Sequence, residues 1–103
     1  MSRAAGMEHE MAGISLQDGL RIPERVLFRR VDTEMAVINT DTGAYFGLDE
    51  VGTRMWELIA EHGLLHVVAN RIREEFDVDP QRLEEDLLRL VDELLAHGLV
   101  ERA

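Results

Sequence analysis

The stretch Val26-Leu27-Phe28-Arg29-Arg30-Val31-Asp32-Thr33-Glu34-Met35-Ala36-Val37-Ile38-Asn39-Thr40-Asp41-Thr42-Gly43-Ala44-Tyr45-Phe46-Gly47-Leu48 decides the fold. It reads as short apolar runs punctuated by turn residues, the pattern of strands rather than of a helix. The runs 26–31, 35–39 and 44–48 are the expected strands. Asp32-Thr33 suits a tight hairpin between the first two. Thr40-Asp41-Thr42-Gly43 supplies the second turn, with Gly43 free to take a positive φ. Connections this short force sequential antiparallel neighbours, hence a meander. A sheet this small is not stable alone and must bury one face. Tyr45 and Phe46, adjacent on a strand, point to opposite faces, so one should meet the core and the other the outside.

The residues downstream supply the covering layer. Asp49 is placed to cap a helix in which Val51, Met55, Leu58 and Ile59 recur at helical spacing until His62-Gly63. Trp56 falls among these core positions. Leu65, Val68, Ala69 and Ile72 mark a second helix that ends near Phe76. The third begins with Asp79 as cap and Pro80 at the first helical position, and Gly98 lies just past its end. Glu84, Glu85 and Asp86 lie in its first turns, where carboxylates suit the helix dipole. The order βββααα implies an α+β domain. Residues 1–20, rich in Gly, Ala, Met and Ser with no sustained period, read as a disordered N-terminal extension, leaving 21–103 as the folded domain.

The third helix carries more apolar surface than a single covered face requires. At about 100° per residue, Leu83, Leu87, Leu90 and Leu94 fall within roughly 60° of one another. Leu88, Val91 and Leu95 widen the arc to roughly 160°, against about 100° for an ordinary surface helix. Two readings stand: a core that reaches around the helix, or a flank left open for a partner.

Composition removes several functions. The chain has 103 residues, 21 acids and 11 basic residues, a formal charge of −10. That balance disfavours nucleic acid and anionic membranes, both of which call for a basic face. There is no Cys, so disulfides and thiolate chemistry are excluded, and no Lys, so no Schiff base can form on a side chain. With 46% hydrophobic residues the chain has enough apolar material for a core, yet no run approaches a membrane span. A cytoplasmic location is the expectation. The acidity is uneven: residues 1–48 hold seven acids and five Arg, residues 49–103 fourteen acids and six Arg.

No motif carries catalytic or metal chemistry. His62 and His66 are four apart, but Gly63 sits between them at a helix break and no Glu base intervenes. Asp77-Val78-Asp79 begins like a calcium loop, but Pro80 follows, Arg82 takes the place of the required Gly, and Leu88 stands where a Glu should. Gly43 and Gly47 lack the Gly-Lys that completes a phosphate loop. No enzyme, cofactor or metal site is expected.

Taken in order, Val37-Ile38-Asn39, the run from Thr42 to Gly52, Met55-Trp56-Glu57-Leu58, Glu75-Phe76-Asp77-Val78-Asp79, Asp86-Leu87, Leu90-Val91, Leu94 and Gly98-Leu99-Val100 resemble the PqqD-like family. The resemblance covers roughly residues 24–102. It implies a winged helix-turn-helix-like domain that binds the leader segment of a ribosomally synthesised precursor peptide and presents it to a modifying enzyme, such as a radical SAM protein or a leader peptidase. The implied mechanism is strand addition to the open edge of the third strand, with Ala44, Tyr45, Phe46, Gly47 and Leu48 pairing with the leader. Leu83, Leu87 and Leu90 would then hold apolar leader anchors and Asp86 a basic leader residue. The alternatives are a winged-helix DNA-binding regulator and a protein–protein scaffold subunit. Residues 81–97 hold Arg82 and Arg89 against five acids, which disfavours DNA.

Overall fold

The computed structural model describes residues 13–103. Its elements are β1 (Leu20–Arg21), β2 (Val26–Val31), β3 (Glu34–Asn39), β4 (Tyr45–Leu48), α1 (Glu50–His62), α2 (Leu65–Glu75), α3 (Pro80–Ala96) and β5 (Glu101–Arg102). The expected meander is present as a three-stranded antiparallel sheet in the order β2-β3-β4. Val31 pairs with Glu34 across the two-residue turn, where Asp32 takes a φ of 62°. Asp is one of the few non-glycine residues that adopts this left-handed conformation readily.

The first and third helices begin and end as their punctuation dictates. Asp49 Oδ1 accepts the Gly52 amide and Asp79 Oδ2 the Arg82 amide. Gly63 and Gly98, both at positive φ, terminate α1 and α3. One sheet face packs on the helices through Val26, Met35, Val37 and Leu48, against Trp56, Leu58, Val68, Ile72, Leu87 and Val91. Each such side chain contributes about 1.5–3 kcal/mol on burial. Phe28 meets Trp56 edge-on, ring centroids 5.3 Å apart. An ion-pair chain crosses the layers: Arg30 of β2 holds Glu57 of α1 at 2.6 Å, and Arg54 of α1 holds both Glu57 and Glu75 of α2.

The expected N-terminal boundary needs correction over its described part. Ile14 and Leu20 are buried, and Leu20 pairs with Arg102 in a second, two-stranded sheet of β1 and β5. The Leu20 amide also donates to the Gly63 carbonyl at 2.8 Å, and the Ala103 amide to that of Gly19 at 3.0 Å. The packed domain therefore starts by Ile14 rather than at residue 21. Strands of two residues leave no periodicity to read, which hid this element. The rest of the expected extension, residues 1–12, lies outside the described residues.

Candidate functional site

Backbone hydrogen bonds determine which groups of β4 are open. The Thr40 amide donates to Arg25 and the Asn39 amide to Ala44, each at 2.9 Å. In an antiparallel ladder, bonded and non-bonded pairs alternate. With Val37 opposite Phe46 and Met35 opposite Leu48, the odd-numbered residues of β3 bond to β4 and the even-numbered ones to β2. Phe46 and Leu48 thus spend their backbone groups on β3. The N–H and C=O groups of Tyr45 and Gly47 point away, toward the free edge.

Beside that edge runs an open groove of about 500 Å³ between β4, the first turns of α1, and α3. Its apolar lining is Phe46, Leu48, Val51, Met55 and Leu90. From α3, Asp86, Arg89, Leu90 and Glu93 face it, at the i, i+3, i+4, i+7 spacing of a single helix stripe. Phe46 is stacked at a tilt on His97, centroids 5.7 Å apart. The His97 Nδ1 lies 2.8 Å from the Glu93 carbonyl, and since a carbonyl only accepts, Nδ1–H donates.

The expected site residues are only partly brought together. Phe46, Gly47, Leu48, Asp86 and Leu90 line the groove. Tyr45 offers its backbone to the edge, while its side chain, 66% exposed, lies on the outer sheet face in register with Ile38 and Leu27. Ala44 spends its amide on Thr42 Oγ1 and its carbonyl on Asn39, so it offers no edge group. Leu83 and Leu87 are buried at 3% and 0% exposure among the core residues, and neither is part of the groove lining. They form one stripe with Val91 and Leu94, and this is where most of the wide apolar arc of α3 is used. Asp86 is not free: its Oδ1 is 3.0 Å from Arg89 Nη1 and its Oδ2 is 3.7 Å from Arg82 Nε. Sequence reasoning missed Val51, Met55, Arg89 and Glu93. The last two were discoverable as the stripe mates of Asp86 and Leu90.

A family model described as coenzyme PQQ synthesis protein D (PqqD) matches residues 34–100, a span that contains both walls of the groove. The chain belongs to the PqqD family. Its fold is similar to a solved structure described as TbiB1 in complex with the TbiA(beta) leader peptide. The TM-score is 0.74 at 33% identity, covering 79% of this chain and 94% of that one. No curated protein matches. Among the described residues of this PqqD-family chain, no helix is long and apolar enough to cross a membrane.

Proposed function

We propose that this protein is a non-catalytic recognition module that captures the leader segment of a ribosomally synthesised precursor peptide as an added strand on β4, and presents it to a modifying enzyme. The observation that carries the reading is the open edge of Tyr45 and Gly47 beside an apolar groove, in a fold shared with a leader-peptide complex. Main-chain pairing supplies affinity, and side-chain pockets supply selectivity. The two edges of the sheet also differ in a way that favours β4. β2 carries Arg29 and Arg30, charges of the kind that guard an edge against strand addition, whereas Tyr45-Phe46-Gly47-Leu48 carries none. The modifying enzyme is a radical SAM protein or a leader peptidase, and the location is cytoplasmic.

Backbone NMR tests the reading. Adding the leader of the precursor from the same gene neighbourhood should shift the amides of β4 and of the groove face of α3. Shifts confined to other elements, or none at high micromolar leader, would reject it.

A further inference from the structure

We infer that Glu93 is the selectivity residue of this groove, and that it admits a leader carrying Arg or Lys two residues from an apolar anchor. The inference rests on the leader-binding reading above and specifies what kind of leader fits.

Three carboxylates and one guanidinium line the groove: Asp49, Asp86, Glu93 and Arg89. Two of the carboxylates are already engaged. Asp86 is bound by Arg89, and Asp49 Oδ1 accepts the Gly52 amide at 2.9 Å to cap α1. Among the described residues, the Glu93 carboxylate makes no hydrogen bond or ion pair. Its backbone carbonyl nonetheless anchors His97, whose ring stacks on Phe46. The free anion therefore stands on the helical turn that supports the Phe46 end of the groove.

Strand addition fixes which leader side chains meet it. Leader residues opposite Tyr45 and Gly47 point to the outer face, and those opposite Phe46 and Leu48 point into the groove. Opposite Leu48, the lining of Val51, Met55 and Leu90 fits an apolar anchor. Opposite Phe46, two residues away, the fitting side chain has an apolar stem to lie on the Phe46 ring and a cationic head for Glu93, which describes Arg or Lys. An acidic side chain finds only Arg89, already committed to Asp86.

Selection from a random dodecapeptide display library tests this on the intact chain. The wild-type protein should enrich peptides with Arg or Lys at a fixed position two residues from an apolar residue. Glu93→Arg should enrich Asp or Glu at that position, while Asp92→Asn, the same loss of a carboxylate on the outer side of α3, should keep the basic preference. A selected peptide should bind Glu93→Gln about 2–5-fold more weakly at low salt, the range of a solvent-exposed pair. Circular dichroism confirms that each variant is folded. If Glu93→Arg still enriches the same basic residue, the assignment to Glu93 is wrong although the groove binds peptide. If the wild type enriches nothing, or its selected peptide leaves the Tyr45 and Gly47 amides unshifted, the leader-binding reading fails as well.

Discussion

The side-chain amide of Asn39 donates to the Gly98 carbonyl at 3.1 Å, joining the end of β3 to the end of α3. Asn39 is 2% exposed, and its other bonds complete the link. Its Nδ2 also reaches the His97 carbonyl at 3.4 Å, and its Oδ1 accepts the amides of Asp41 and Thr42. One buried residue thus fixes both the turn that leads into β4 and the C-terminus of the helix opposite, adding to the Phe46–His97 contact between the two walls of the groove.

Replacing Asn39 should expose that dependence. Asn39→Ala should lower the unfolding free energy by about 2–3 kcal/mol, because several buried partners lose their bonds. Asn39→Asp should be worse at neutral pH, since a buried carboxylate would face two carbonyls. The difference between the two variants should shrink in acid, where the carboxyl is protonated and can donate. Urea unfolding at several pH values checks this.

Gly98→Ala should destabilise through the same contact. Gly98 has a φ of 70°, and an added Cβ would lie 2.8 Å from Asn39 Nδ2. The backbone conformation alone costs an Ala about 1–2 kcal/mol, and displacing Asn39 adds to that. Thermal or urea unfolding measures the loss.

Leu87 and Leu90 should separate stability from binding. Leu87 is fully buried, so Leu87→Ala should cost about 2–5 kcal/mol in unfolding free energy. Leu90 lines the groove at the rim of the core. Leu90→Ala should cost less stability than Leu87→Ala and should weaken leader binding. Paired urea unfolding and isothermal titration resolve the two effects; equal stability losses would contradict the assignment.

Part of the acid sensitivity should map to Arg54. The Glu75 carboxyl is held below its ordinary value of 4.5, chiefly by hydrogen bonds from Arg54, against a smaller upward push from burial, with the charges of Arg54 and Arg71 adding to the lowering. Its folded-state pKa is depressed, so the stabilisation is present above about pH 4.5 and is lost as pH falls through the folded value. Arg54→Met should therefore flatten the decline of stability below that pH. At neutral pH the effect should stay within about 1 kcal/mol, since the pair is partly solvated.

The legible parts of the fold were those with a period or a marked end. The strands showed as apolar runs between turn residues, and the helices as amphipathic segments with Asp49, Asp79 and Gly98 at their ends. β1 and β5 were hidden because a pairing of two residues, formed between the two ends of the domain, leaves no local pattern. The site was half legible. Alternation put Tyr45 and Phe46 on opposite faces without saying which met the core, and which side of α3 faced β4 depended on how the helix was rotated. A wide arc of leucines could not reveal that Leu83 and Leu87 fill the core while Leu90 reaches the groove. Nor could spacing alone tell that Arg89 occupies Asp86 and leaves Glu93 free.

Amide hydrogen exchange of β4, free and with leader bound, tests the central claim most directly. In the free protein, Phe46 and Leu48 should already be protected by β3, while Tyr45 and Gly47 exchange freely. Leader binding by strand addition should newly protect Tyr45 and Gly47 and leave the other two unchanged. A leader that binds while Tyr45 and Gly47 keep exchanging at the free rate would contradict the account.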